Sequence, residues 1–181
     1  MNKKLLLFFL VICFSSITKK EEKFIERQGK ITFFSYTPVE NIQATNTTAQ
    51  GVLDSSNGNI VVRVLMRAFE FKKSLMYEHF NESYIESDLY PHAILQGKII
   101  DFSPNEKQQT RIVKGDFTLK DVKKPIEVKV NIVKENNFYK IDGNLEVSIK
   151  DHNIKVPKVL SANIAKKIQV SFNFQFEPYE N

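Results

Sequence analysis

The stretch FEFKKSLMYEHFNESYIESDLYPHAILQG, Phe69 to Gly97, decides how the rest of the chain must be read. Its apolar spacing changes from strand to helix and back to strand. Leu75, Met76, His79, Phe80, Ser83 and Tyr84 recur three and four residues apart, which places them on one helical face. The spacing predicts a short amphipathic helix over Ser74–Glu82. Tyr90-Pro91 then restarts the chain in extended form, because a residue before proline avoids the helical region. Nearly everything outside this stretch reads as strand, so the fold question is what a β protein does with one helix.

Upstream, Lys30–Thr37 is dense in β-formers (Ile31, Thr32, Phe33, Phe34, Tyr36) and ends at Pro38. Val39 to Gln50 is polar, with room for a short strand around Ile42–Ala44. Asn57-Gly58 between apolar runs is a strong hairpin signal. Ile60, Val62, Val64 and Met66 alternate with Val61, Arg63, Leu65 and Arg67, and the arginines mark the wet face. Phe69 and Phe71 carry the apolar series on the opposite parity, which predicts a bulge near Ala68.

Downstream, His92–Phe102 and Arg111–Leu119 read as strands, the latter followed by a connecting loop at Asp121–Lys124. Ile126, Val128, Val130 and Ile132 alternate with polar neighbours up to a turn at Asn136-Asn137. Ile141 to Ile149 alternates again. Asp151–Lys167 is irregular, with a helical turn expected around Val159–Ala165. In the last strand Ile168, Val170, Phe172, Phe174 and Phe176 face one way and Gln169, Ser171, Asn173, Gln175 and Glu177 the other.

About eight strands with one apolar and one polar face make an antiparallel sheet that is wet on one side. With one short helix to cover it, the sheet buries its apolar face by curling on itself, and closure also removes exposed edges. The expected fold is all-β: an antiparallel, eight-stranded, lipocalin-like closed barrel with the short amphipathic helix in an insertion that caps one end. A β-sandwich is the alternative. Eight strands enclose an interior that is filled by side chains or holds one small ligand.

The chain has 181 residues, no internal repeat and no Pro/Gly-rich linker. Its net charge of +5 is spread without a basic stripe interleaved with aromatics, which argues against nucleic acid as a partner. Lys3 and Lys4, the apolar run Leu5–Phe14 and the small or polar residues Ser15, Ser16 and Thr18 read as a signal peptide over residues 1–18. The run is too short to span a bilayer, which takes about 20 residues. The remaining 19–181 form one domain. The expected location is the periplasm or cell envelope. Cys13, the only cysteine, leaves a lipoprotein anchor as the alternative.

Several segments together resemble the YceI-like family of bacterial polyisoprenoid-binding proteins. They are His79–Ser87 followed by Tyr90–Gly97, then Gly115–Val122, Lys124-Pro125-Ile126 and Leu145–Ile154. The resemblance runs from about Gly29 to Phe176, although the opening strand departs from the family pattern and the chain has no Trp. It implies an exported barrel that holds a long isoprenoid or similar apolar lipid and catalyses nothing.

A lipid site of this kind needs length and dryness rather than a polar constellation, since each buried CH₂ contributes about 0.8 kcal/mol. The expected liners are the inward-facing Val62, Val64, Met66, Leu95, Phe117, Leu119, Val128, Val130, Leu145, Val147, Phe172 and Phe174, with Leu75, Met76, Phe80 and Tyr84 from the helix. The same residues also suit a side-chain-filled barrel, which would make the chain a structural or envelope-stress interaction protein. Tyr84 offers a hydroxyl to a head group. His79, His92 and His152 match no compact metal-ligand spacing. Glu78, Glu82 and Glu86 read as the wet edge of the helix. No cofactor, phosphate-loop or nucleophile motif is present. An enzyme with a His/Tyr/Glu cluster at the helix end is the remaining alternative. Peripheral membrane contact and a dimer stay open.

Overall fold

Among residues 23–179, which the computed structural model describes, there are nine antiparallel strands, one short helical segment and two single 3₁₀ turns, the second at Lys158–Leu160 where a helical turn was expected around Val159–Ala165. The expected signal peptide and Cys13 lie outside the described residues. In chain order the strands are β1 (Lys23–Ser35), β2 (Ile42–Asp54), β3 (Asn59–Leu65), β4 (Glu70–Phe71), β5 (His92–Ile99), β6 (Gln108–Leu119), β7 (Val122–Glu135), β8 (Phe138–Ser148) and β9 (Lys167–Pro178). Their pairing order is β1-β9-β8-β7-β6-β5-β3-β2, and β1 pairs back onto β2. Eight strands therefore close a barrel. The two-residue β4 lies outside the ring, on β2 at Ala44↔Phe71.

Local chemistry explains the tight connections. Asp54 closes the β2–β3 hairpin: its Oδ1 accepts the Ser56 N–H at 2.9 Å and the Ser56 hydroxyl at 2.6 Å, and its Oδ2 accepts the Asn57 amide at 2.6 Å. Gly58 takes the left-handed φ of 78° that this turn needs. The β6–β7 hairpin is tighter than expected. Leu119 pairs with Val122, and Lys120 and Asp121 both adopt positive φ, as a two-residue type I′ turn requires. The loop expected at Asp121–Lys124 is therefore strand from Val122 onward. Asn136, at φ 49°, turns β7 into β8.

The largest difference from the sequence expectation is at the start of the barrel. β1 begins at Lys23, seven residues before the expected strand, and runs through register shifts between Glu26 and Ile31. β2 is a full strand rather than a short one at Ile42–Ala44. Its buried residues include Ala44, Asn46, Ala49 and Gly51, small or polar side chains that carry no hydrophobic signal. Gly51 is small for a reason: a Cβ there would lie 2.8 Å from the Phe176 ring, just as one on Gly29 in β1 would lie 2.3 Å from Phe174. The β9 phenylalanines fill the space that these strands leave.

The parity change near Ala68 is not a bulge. Met66–Ala68 forms one 3₁₀ turn that ends β3 and delivers Phe69, again buried, to the interior. The helix α1 spans Ser74–His79 and continues into a wider π turn over Phe80–Tyr84, closed by the Ile85 N–H to Phe80 carbonyl bond of 2.9 Å. Beyond it, Glu86 adopts φ 56° and ends the segment.

The barrel is closed unevenly along one seam. β7 and β8 pair only from Glu135↔Phe138 to Val130↔Gly143. Residues 122–129 of β7 pair with β6 alone, and 144–148 of β8 with β9 alone. Pro125, which has no N–H to give, sits in this half-edge, where none is required. The segment 149–166 spans the opening as a strap. His152 Nδ1 meets the Val122 carbonyl at 3.2 Å, the His152 ring packs edge-on at 5.3 Å from Phe117, and the Ala165 N–H donates to Ser35 Oγ at 2.8 Å.

Candidate functional site

The strand directions sort the barrel into two ends. The β2–β3, β5–β6 and β7–β8 turns and both described chain ends gather at one. The helix, the β6–β7 turn and the strap gather at the other. The turn end is solid. Leu53, Ile99, Ile132 and Phe176 are fully buried there, Tyr139 is 1% exposed, and Phe24 and Phe102 pack against the Tyr139 ring at 4.8 and 5.6 Å. The Tyr139 hydroxyl and Lys134 Nζ both donate to the Pro104 carbonyl, at 3.2 and 2.9 Å, which satisfies the polar tips at this end.

The helix end is hollow. A cavity of about 200 Å³ occupies it. Every residue expected to line the interior borders this cavity except Leu75. The strands supply Val62, Val64 and Met66 from β3 and the turn after it, Leu95 from β5, Phe117 and Leu119 from β6, Val128 and Val130 from β7, Leu145 and Val147 from β8, and Phe172 and Phe174 from β9. The helical segment supplies Met76, Phe80 and Tyr84. Leu75 is the correction. It is 55% exposed and points out of the barrel, because the helix is only six residues long and lays its inner face down through the turn that follows.

Phe80 is the residue that couples the helix to the barrel. Its ring lies 5.1–5.7 Å from Phe33, Phe69 and Phe71, and each aromatic pair of this kind contributes about 0.5–1.5 kcal/mol beyond area burial. Lys120 holds the far end of the segment, donating to the Tyr84 carbonyl at 3.0 Å and pairing with Glu86. Glu86 is thereby committed, while His79 faces the Tyr84 ring at 6.4 Å. The three histidines stand apart, on the helix, at the start of β5 and in the strap. Among the described residues no three His, Cys, Asp or Glu come together as metal ligands would.

Other liners escaped the sequence reading. Ile31, Phe33 and Ser35 share one face of β1, and Val113, Ile141, Ile168 and Val170 lie on the same parity as liners that were expected. Alternation within those strands carries the signal. The strap residues Ile149, Ile154, Val156 and Ile164 also line the cavity, and no periodicity announces them because their backbone is irregular.

Among the described residues the lining is apolar apart from Ser35 and Tyr84, and almost none of the surface offered to the cavity is polar. Burial pushes the Tyr84 phenol above its ordinary value. Burial also lowers the His152 imidazole below the ordinary histidine value, against the opposing pull of the Val122 and Leu119 carbonyls. An apolar cavity of about 150 Å³ stays dry and takes up benzene. The cavity here is larger than that and as apolar, so its wall favours hydrocarbon over water.

A sequence comparison with protein families matches the YceI-like domain over residues 21–176. No curated protein matches the chain in sequence. Among solved structures, a polyisoprenoid-binding domain from Saccharophagus degradans, implicated in plant cell wall breakdown, superposes with a TM-score of 0.72 at 11% identity, covering 88% of this chain and 100% of that one. BcnA from Burkholderia cenocepacia gives 0.69 at 15% identity, over 81% and 95%. The YCEI protein of Campylobacter jejuni gives 0.63 at 12% identity, over 81% and 90%. At these identities the structural matches speak to the fold.

Proposed function

The chain belongs to the YceI-like family, and on that premise we propose that it binds a long-chain isoprenoid or similar apolar lipid inside the hollow end of its barrel, as a carrier or store and without catalysis. The observation that carries this reading is the cavity: about 200 Å³, with a wall among the described residues that offers it almost nothing but apolar surface. A barrel filled by its own side chains would not leave that volume, and a hydrolytic or acid–base site would place ionisable groups in it. The polyisoprenoid-binding domain of similar fold supports the choice of lipid class.

The cavity as it stands is short for a long chain, since pockets for drug-sized ligands occupy about 300–1,000 Å³. A long isoprenoid therefore lodges with the strap and the helix displaced outward, and the β7–β8 seam is where the wall gives. The signal-like segment at residues 1–18 supports a location in the cell envelope, where the mouth would meet a membrane from which lipid is drawn.

The test is mass spectrometry of an organic extract of the purified full chain, followed by titration of the delipidated protein with a soluble isoprenoid. An apolar chain at about one equivalent, or saturable uptake in the titration, is the expected result. An extract without lipid together with no uptake overturns the proposal.

A further inference from the structure

The most exposed large apolar side chains among the described residues sit in the connections at the helix end. Val159 in the strap is 84% exposed, and Leu89, Val39 and Leu75 follow it, each in a connection at this end. Apolar residues scattered singly over a surface need no explanation, but these belong to one end of the barrel.

The strap has two faces. Ile154, Val156 and Ile164 line the cavity, whereas Lys155, Pro157, Lys158 and Val159 are exposed. Lys150 and Lys166 are exposed near its two ends, and Asp151 is its only acidic residue. Lys124 lies beside it on the half-edge of β7, two residues from the Val122 carbonyl that meets His152. Among the described residues none of these lysines pairs with a carboxylate. The opposite flank of the mouth has the other sign. On the helical segment Glu78 and Glu82 are exposed and, among the described residues, form no ion pair. Charge at this end is therefore divided, with the strap as its cationic side.

We infer that the strap docks the mouth on an anionic phospholipid bilayer. Lys124, Lys150, Lys155, Lys158 and Lys166 face the lipid phosphates, Val159 enters the interfacial layer, and the acidic edge of the helix tilts away. Charge draws such a segment to the surface and buried apolar area holds it there. The bond from the Ala165 N–H to Ser35 Oγ brings the loop 36–41, with the exposed Val39, alongside the strap as a second apolar point. Because the strap spans the β7–β8 seam, docking sets the opening of the barrel against the bilayer. The inference rests on the reading of the hollow end as a lipid site and deepens it, naming the face that docks and the lipid charge it needs.

Co-sedimentation of the full chain with vesicles tests it, using phosphatidylcholine alone and phosphatidylcholine mixed with phosphatidylglycerol. The wild type pellets with the mixed vesicles and is released as salt screens the lysines. Lys155→Glu/Lys158→Glu binds them about 30-fold more weakly, since each lysine at an anionic surface contributes about fivefold. Lys98→Glu/Lys107→Glu makes the same change of charge at the turn end. It stays within about threefold of wild type, because exposed charges farther than a screening length from the surface contribute little. This pair of variants shares the N-terminal segment and the net charge, so neither accounts for the difference. Val159→Ser weakens binding about fivefold, as the loss of one apolar side chain from the interface requires.

Equal binding of the wild type to both kinds of vesicle overturns the inference, as does a strap variant that falls no further than the turn-end variant. Binding to neither also overturns it and leaves the strap lysines to an acidic protein partner or to solvent. Titration with geranylacetone, a short soluble isoprenoid, in the absence of vesicles reads the cavity separately, and the strap variant takes it up as the wild type does. Docking by a wild type that takes up no isoprenoid overturns the lipid-site reading alone.

Discussion

The two ends of the barrel are built from the same strands and differ in what those strands point inward. At the turn end the inward residues are long or aromatic: Phe24, Leu53, Ile99, Ile132, Tyr139 and Phe176, all buried and mutually in contact as core. At the helix end the inward residues are mixed, with Val62, Val64, Val128 and Val147 beside Phe33, Phe80, Phe117 and Phe172, and a cavity remains between them. Side chains from opposite strands meet at one end and leave space at the other. Packing and the proposed lipid site are thus segregated along the barrel axis. The solid end secures closure of the ring, and the hollow end is free to forgo packing because the other has supplied it.

The sharpest test of that division uses two identical residues on one strand. Phe176 is fully buried in the solid end, whereas Phe172 is half-buried on the cavity wall, stacked on Phe174 at 5.2 Å. Phe176→Ala is expected to cost about 3–5 kcal/mol in urea unfolding, the range for a large core truncation. Phe172→Ala is expected to cost about half as much, because its ring already lacks neighbours on one side. The order reverses for isoprenoid uptake, which Phe172→Ala alters and Phe176→Ala leaves intact at a temperature where both are folded. Equal stability costs would show that the hollow is filled in solution and would break the comparison.

A second pair reads the same contrast by addition rather than removal. Ile132 and Val128 both face inward on β7, one at each end. Ile132→Phe overfills a close-packed region and is expected to lower stability by about 1–3 kcal/mol. Val128→Phe places its ring in the cavity, costs less than about 1 kcal/mol on the same reasoning, and excludes lipid. A Val128→Phe protein that still extracts with lipid would move the ligand elsewhere.

How much of this was legible depends on where each residue's signal comes from. The barrel followed from alternation, which is strong wherever Val, Ile and Phe face inward, as in β6 to β9, and the helix followed from Leu75, Met76, Phe80 and Tyr84. β2 was read too short because much of its buried face is Ala44, Asn46, Ala49 and Gly51, small or polar residues, and at Gly51 a Phe176 ring takes the place of a side chain. A pattern reading measures hydrophobicity, and this strand's contribution is the volume it vacates. Leu75 was misplaced because helical spacing gives a face and not its depth. The strap liners Ile149, Ile154, Val156 and Ile164 and the hydroxyl of Ser35 were invisible for a third reason. Their role depends on long-range closure: the half-open β7–β8 seam, and an Ala165 amide 130 residues along the chain from its acceptor.

The smallest expected effect is on the strap, and its sign follows from His152. Burial lowers the His152 imidazole from the ordinary 6.5; the Val122 and Leu119 carbonyls and Asp151 oppose this, and Lys124 adds a little to it. The unfolded chain therefore binds the proton more readily than the folded one, and stability falls as the pH falls. The contribution is whole above about pH 6.5 and is lost progressively below it, as the unfolded histidine and then the folded one take up a proton. His92 acts in the same direction, through burial and Arg63, whereas Asp54, lowered by its hydrogen bonds to Ser56 and Asn57 despite burial, acts only below about pH 4. Between pH 7.5 and 5 the urea midpoint should thus fall, and His152→Phe, which keeps a ring against Phe117, should flatten the part of that slope that His92 does not supply. Because His152 sits at the hollow end, protonation should also raise amide exchange in 149–166 before it touches Tyr139 or its neighbours. Exchange that rises together at both ends would mean that the strap and the solid end open as one unit, and that the mouth has no independent motion.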